Sequence, residues 1–254
     1  MALYERFAGF YAAGPYPRYS KRMSDLLPAV LARLDARPRS LLDIACGEGT
    51  FAIAQAAAGL EVTGIDLSPR MLEIARRRAA SEQVRATFTQ GDMRALAPAR
   101  TYDLVTCWYD SLNYLLEPAD LIAAFRGAEA ALAPGARFIF DMNTIYGLAV
   151  LWRSQPFHLI QDGPEVFEVH ANRYDFDTRI ATKRIVGFFK QAGSWERMEE
   201  VHAERGYTLE EIRACLADAG LRAAHCWGSF QDMTEPGPET GRVWFVADKE
   251  ERPV

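Results

Sequence analysis

The chain has 254 residues, 49% hydrophobic and 25% charged, enough to bury a full core as one large domain or two small ones. A formal charge of -5 disfavours nucleic acid as a partner, because affinity for a phosphate backbone rests largely on Lys and Arg. No run approaches the roughly 18 uninterrupted apolar residues of a membrane span, and Met1 to Phe10 lacks the basic-then-apolar plan of a signal peptide, so a soluble cytoplasmic protein with no membrane partner is expected.

In chain order, Met1 to Leu34 reads as helix, rich in aromatic residues (Tyr4, Phe7, Phe10, Tyr11, Tyr16, Tyr19) and interrupted at Pro15 and Pro17. Leu41 to Ala45 is a short buried-strand run, followed by a glycine loop and a helix over Phe51 to Ala58. Glu61 to Ile65 is a second strand. Ser68 then caps a helix whose first position is Pro69, where the missing N–H costs nothing. Arg85 to Thr89 and Tyr102 to Cys107 are strands, Asp120 to Leu132 is a helix stopped by Pro134-Gly135, and Arg137 to Met142 is a fifth strand. Such alternation predicts parallel strands joined by right-handed crossovers.

The rhythm changes between Phe157 and Tyr207. Strand-like segments with turn signals at Asp162-Gly163-Pro164, Asp175 to Thr178 and Ala192-Gly193-Ser194 predict an antiparallel insertion. Thr208 to Glu211 reads as a capping box opening a last helix, and strands near Arg222 to Gly228 and Arg242 to Ala247 resume the sheet. The expected organisation is α/β and doubly wound, with a seven-stranded mostly parallel sheet, helices on both faces and a small antiparallel lid. A helical cap and cofactor core occupy residues 1–154, the β-rich lid 155–207, and the rest of the core 208–254. Cys46, Cys107, Cys215 and Cys226 form no C-x-x-C pair, so neither a zinc site nor a disulfide framework is expected.

The most informative segment is Asp43-Ile44-Ala45-Cys46-Gly47-Glu48-Gly49-Thr50, between the first strand and the first crossover helix. In an open parallel sheet, ligands bind beyond the carboxyl ends of the strands, where this loop lies. Asp66, ending the second strand, suits a ribose diol. Gly47-x-Gly49-x-x-Ala52 also satisfies a loose dinucleotide fingerprint, so glycine spacing leaves an NAD(P)-dependent oxidoreductase open. Asp43 argues the other way. A carboxylate just ahead of the loop repels a pyrophosphate and pairs with an ammonium.

With these residues in hand, the sequence resembles the class I S-adenosylmethionine-dependent methyltransferases. Leu41 to Thr50 is similar to their first motif and Ile65-Asp66-Leu67-Ser68-Pro69-Arg70-Met71-Leu72 to the second. Gly91-Asp92-Met93, Tyr102 to Val105 and Leu132-Ala133-Pro134-Gly135-Ala136 follow in the family's order. The resemblance implies S-adenosylmethionine as cofactor, with Gly47, Gly49 and the backbone around Ala45 cradling its methionine end, Asp66 on the ribose, Leu67 or Met71 against adenine, and Asp92 with Met93 at the adenine amino group. The N-terminal aromatics Tyr11 and Tyr19 are expected to close over the sulfonium, with Arg22 near the methionine carboxylate, against core and lid packing only, and Trp108 is a further expected cofactor contact.

Methyl transfer is a displacement at a sulfonium carbon, so the protein mainly positions the nucleophile and excludes water. The acceptor side is expected from Trp108-Tyr109-Asp110-Ser111-Leu112-Asn113-Tyr114, from Asp141, Met142 and Asn143, and from Glu200-Val201-His202 in the insertion. His202 is the expected base or substrate contact, against a structural strand histidine, and Asp110 a second catalytic candidate, against a helix cap. The expected partner is a small-molecule methyl acceptor through N or O, on a monomer or homodimer. A cofactor-binding module without turnover is the non-enzymatic alternative.

Overall fold

Leu41, Leu42, Asp43 and Ile44 are all buried, as a strand covered on both faces must be. They belong to β1 (Ser40–Ile44), the centre of the sheet seen in a computed structural model that describes residues 4–154, 156–191 and 193–249. Around it lie β2 (Glu61–Asp66), β3 (Thr87–Gln90), β4 (Tyr102–Cys107), β5 (Leu132–Asn143), β10 (Leu221–Trp227) and β11 (Arg242–Lys249). The strand order is β10-β11-β5-β4-β1-β2-β3, and only β11 runs against its neighbours. One face carries Leu42, Ile44, Val105, Phe138 and Phe140 against α5 (Pro118–Ala131) and α6 (Leu209–Asp218). The other carries Leu41, Val62, Leu104 and Ile139 against α2 (Pro17–Arg33), α3 (Thr50–Ala57) and α4 (Pro69–Ser81).

Most local signals act where the sequence places them. Pro17 opens α2, and the Ser68 hydroxyl accepts from the Met71 N–H at the start of α4. Two boundaries move. β3 starts two residues later than expected, at Thr87. β5 starts five residues earlier, because the buried Leu132 already pairs with Tyr102; Pro134-Gly135 is an irregularity inside the strand, not a stop ahead of it.

The antiparallel insertion is a separate four-stranded sheet, β6 (Phe157–Asp162), β7 (Val166–Asp175), β8 (Ile180–Gln191) and β9 (Ser194–Arg205), in that order. Its Asp175 turn is closed by N–H groups of Asp177 and Thr178 on the carboxylate. Ala192, in the third expected turn, lies outside the described residues, as does Met1. The sheet's inner face meets the first short helix, α1 (Ala8–Ala13): Phe7 and Phe10 pack on Ile185 and Met198, and Gly187 leaves the space that Phe10 fills.

Glu211 ties the insertion to the core. It completes the capping box by accepting from the Thr208 N–H at 2.8 Å, and it takes both guanidinium nitrogens of Arg179, from the β7–β8 turn, at 2.8 and 2.6 Å. Glu211→Ala is expected to lower unfolding stability by roughly 2 kcal/mol, about twice the loss from Thr208→Ala, because it removes a cap and a bidentate pair together. Urea unfolding of both variants checks this; equal losses would mean the Arg179 pair contributes nothing.

Candidate active site

Beyond β1 the chain turns through three left-handed residues, Ala45, Gly47 and Gly49, at φ +56°, +56° and +85°. The loop is held from two sides. The Gly47 N–H donates to Asp66 Oδ2 at 2.8 Å, while the other oxygen, Oδ1, accepts from the Ser68 N–H at 2.8 Å. The buried Glu48 carboxylate binds the Arg78 guanidinium and the Thr50 hydroxyl. Asp66 thus joins the ends of β1 and β2 and keeps acceptor capacity to spare. Burial raises its carboxyl above the usual range, with the backbone N–H groups working against that rise.

Ala45, Gly47, Glu48, Asp66 and Ser68 border one cavity of about 490 Å³. Of the expected cofactor residues, Tyr11, Asp43, Ala45, Gly47, Asp66, Leu67, Met71, Asp92, Met93 and Trp108 line it. A Cβ on Gly47 would meet nothing within 4 Å, so the backbone there is open to a ligand. Leu67 is 57% exposed, an apolar surface free to cover a flat ring, whereas Met71 is buried. The Trp108 Nε1–H is buried with no partner among the described residues. An open glycine turn, a carboxylate with spare acceptor capacity and an orphaned donor fit a polar nucleoside bearing an amino-acid tail.

Three expectations need correction. Gly49 does not line the cavity: a Cβ there would strike Ala75, Ile53 and Phe88 at 2.9 to 3.2 Å, so this glycine lets α3 pack against α4 and β3. Tyr19 does not line it either; its ring stacks on Tyr109 at 4.5 Å and carries the Arg242 guanidinium on its face. Arg22 is exposed on α2, away from the cavity. Asp92 does line it, but Arg94 engages both its oxygens and lowers its carboxyl, so a ligand amino group has a competitor there.

The opposite half of the cavity is formed by Tyr4, Tyr16, Tyr109, Asp110, Tyr114, His170, Lys183, His202 and Arg242. Tyr109 and Asp110 are both left-handed, at φ +58° and +54°, a costly conformation for consecutive non-glycine residues. Asp141 holds it by accepting both their N–H groups, at 2.7 and 3.1 Å. Arg242 closes the arrangement, donating to Asp141 and, at 2.6 Å, to Asp110. Asp110 sits at the N-terminus of the following turn, but its side chain makes no cap bond. Asn113 faces away, clamping Asn143 and the Arg205 carbonyl, and Met142 is core. Asn143 donates to the buried Glu204, whose carboxyl is held well above its usual range by burial and by Asp110 beside it.

His202 lies on the inner face of β9. Its Nε2 faces Glu200 Oε2 at 3.2 Å and its Nδ1 the Tyr114 hydroxyl at 2.8 Å, which in turn meets the Tyr4 hydroxyl at 3.0 Å. Glu200 also accepts backbone N–H groups from Tyr4, Arg6 and Phe7. The sequence reading missed Arg242, Lys183 and the pair Glu168-His170. The last had a visible signal, since Glu168-Val169-His170 repeats Glu200-Val201-His202 with the spacing that puts both side chains on one strand face.

A family model described as a methyltransferase domain matches residues 41–135. The protein YqeM of Bacillus subtilis, which carries a methyltransferase name, is 30% identical over 253 residues and covers 97% of both chains. A dTDP-3-amino-3,6-dideoxy-alpha-D-glucopyranose N,N-dimethyltransferase of Streptomyces fradiae is 36% identical, across 90% of this chain and 84% of its own. Among solved structures, an S-adenosylmethionine-dependent methyltransferase from Clostridium acetobutylicum matches with TM-score 0.83 at 25% identity, over 98% of this chain and all of the other.

Two outcomes are expected for ligand binding. Asp66→Ala should weaken S-adenosylhomocysteine by about tenfold or more, since hydrogen bonds to a charged acceptor contribute about 1.5–3 kcal/mol each; unchanged affinity by calorimetry would remove Asp66 from the ribose. Asp43 is lifted to about 7 by burial, with the Thr106 hydroxyl at 2.8 Å working against the rise. Its folded-state value lies above its free value, so the stability it contributes is present at low pH and lost as pH rises through about 7. A ligand ammonium beside it would offset that loss. The rise in melting temperature with S-adenosylhomocysteine should therefore be larger near pH ~8 than near pH ~6, and Asp43→Asn should level the two. Equal rises in the unaltered protein would sink the Asp43–ammonium pairing.

Proposed function

We propose that this chain, which belongs to the class I S-adenosylmethionine-dependent methyltransferases, methylates an amine nitrogen on a small polar molecule seated against the antiparallel sheet. Its cofactor is S-adenosylmethionine, which supplies an electrophilic methyl group on a sulfonium when bound. Ala45 and Gly47 would hold the methionine end beside Asp43, Asp66 the ribose, and Leu67, Met71 and Met93 the adenine.

The observation carrying this reading is the continuity of the cavity: the same space bordered by Gly47 and Asp66 reaches His170, His202 and Asp110. Its acceptor end combines aromatic faces from Tyr4, Tyr11, Tyr16, Tyr109 and Tyr114 with the Asp110 carboxylate and with Glu168 and Glu200 behind the two imidazoles. Aromatic faces and carboxylates both favour a cation, which is how an amine arrives at neutral pH. The Streptomyces fradiae relative, named for an amino sugar, supports the same class of acceptor.

Within this reading the chain's residues position and dry the reacting groups. Arg242 and Asp141 fix Asp110 at the cavity wall, where its carboxylate would hold the acceptor's ammonium. His202 orients the Tyr114 and Tyr4 hydroxyls. The test is transfer of labelled methyl from S-adenosylmethionine to a panel of free and nucleotide-linked amino sugars, other small amines, and hydroxyl compounds of matched size. Label is expected on amines. Label confined to hydroxyl compounds would overturn the amine assignment, and firm S-adenosylhomocysteine binding with no transfer to any metabolite pool would favour a binding module.

A further inference from the structure

We propose that His170 is the base that removes the proton of the acceptor amine, with Glu168 as the positioning residue behind it. The proposal rests on the amine reading above.

The two Glu-x-His pairs of the lid differ in what their imidazoles have left to offer. In each pair the carboxylate carries only acceptors, so the ring nitrogen facing it bears the hydrogen and the other nitrogen bears the lone pair. For His202 that second nitrogen, Nδ1, already accepts from the Tyr114 hydroxyl at 2.8 Å. For His170 the Nε2–H donates to Glu168 Oε1 at 2.7 Å, and Nδ1 has no hydrogen-bond partner among the described residues. His170 borders the cavity, so the spare lone pair belongs to the ring that faces the acceptor space.

Glu168 is built to hold that ring. It is fully buried, takes the Tyr16 hydroxyl on Oε1 and the Gln161 amide on Oε2 at 2.7 Å, and so presents one oxygen to the imidazole in a fixed direction. Burial works to raise its carboxyl, but the bonds from His170, Tyr16 and Gln161 outweigh this and keep it below the usual range. Burial keeps the His170 imidazole below its ordinary value, hence neutral and receptive. The charged and titratable groups around the ring are Glu168 on its own strand, His158 opposite it on β6, Lys183 on β8 and Tyr16 from the N-terminal segment. An ionised carboxylate behind one nitrogen and an open lone pair on the other is the arrangement by which a histidine accepts a proton and has its positive charge stabilised.

The acceptor ammonium gives its proton to Nδ1, which frees the nitrogen lone pair. That pair forms the new N–CH3 bond as the C–S bond breaks with its electrons on sulfur. The imidazolium, stabilised by Glu168, then returns the proton to water.

The experiment compares H170N, H202N and E168Q in the full-length protein, using the best acceptor of the unaltered enzyme. H170N is expected to lower kcat by about 100-fold, while leaving affinity for S-adenosylhomocysteine within about threefold and abolishing the ionisation that governs the acid side of the pH–rate profile. H202N should keep that ionisation. A readout without turnover is the NMR titration of the His170 imidazole in the S-adenosylhomocysteine complex, its signal identified by its loss in H170N. E168Q should lower that pKa by about one unit. Retention of kcat and of the pH limb in H170N, transfer of both effects to H202N, or an unmoved titration in E168Q would each overturn the proposal. Should H170N fail to fold, H170Q takes its place in the kinetics and in identifying the signal, and the E168Q pH profile decides beside it. The amine reading fails separately, if the unaltered enzyme methylates only hydroxyls.

Discussion

Glu200, a carboxylate on the inner face of β9, governs how the antiparallel sheet closes over the parallel one. Its two oxygens accept the N–H groups of Tyr4, Arg6 and Phe7 and face the His202 ring, all in a buried setting. Charge-assisted bonds of this kind are strong, and burial leaves the backbone donors no water to fall back on. The N-terminal segment is thereby pinned between the two sheets. Tyr4, Phe7, Tyr11 and Tyr16 follow from that pinning, because each is a wall of the cavity and none is held by the parallel core alone. Without it, the cofactor loops would open onto a broad cleft.

A comparable constraint acts from the core side. Tyr109 and Asp110 stand in a backbone region that side chains avoid, and the chain stays there because Asp141 and Arg242 over-determine it. The two anchors come from β5 and β11, which are hydrogen-bonded neighbours. Arg242 also lies over the Tyr19 and Tyr109 rings, so one guanidinium joins the strained turn, the start of α2 and the reversed strand β11. Strain of this sort clusters where a side chain has to be presented in one direction. Here that side chain is Asp110, held at the junction of the two halves of the cavity.

The lid sheet shows how alternation turns a strand into a chemical surface. Glu168 and His170 on β7, Lys183 and Ile185 on β8, and Glu200, His202 and Glu204 on β9 all fall on the inner face by the period of two. The outer face of the same strands is exposed and mixes Val201, Trp195 and Phe167 with the ion pairs of Glu199 to Arg184 and Arg197. Three carboxyls on one buried face are tolerated because each has a different partner: an imidazole and a tyrosine, an imidazole and backbone donors, or an asparagine beside a carboxyl held above its usual range by burial. The same residues therefore close the lid and give it its polarity.

What the sequence determined by itself was everything set by neighbours a few positions apart. The strand-helix alternation, the Ser68 cap, the Thr208 to Glu211 box, the turn around Gly47 and the carboxylate at Asp66 are local patterns, and local geometry suffices to read them. Motif order from Leu41 onward carried the family for the same reason. The tertiary structure alone decided which of these residues share one space. Gly49 looked like a ligand contact and is a packing contact, because its neighbours Ala75 and Phe88 come from α4 and β3. Tyr19 and Arg22 sit a few residues from Tyr16, yet Tyr16 borders the cavity and they do not, because Tyr19 is covered by Tyr109 and Arg242 and Arg22 is exposed. Arg242 meets Asp110 across 132 positions of chain. His170 differs from His202 in that no distant tyrosine occupies its second nitrogen among the described residues. Hydrogen bonds between such remote partners leave no periodic trace in a sequence, and they exist only once distant strands have come together.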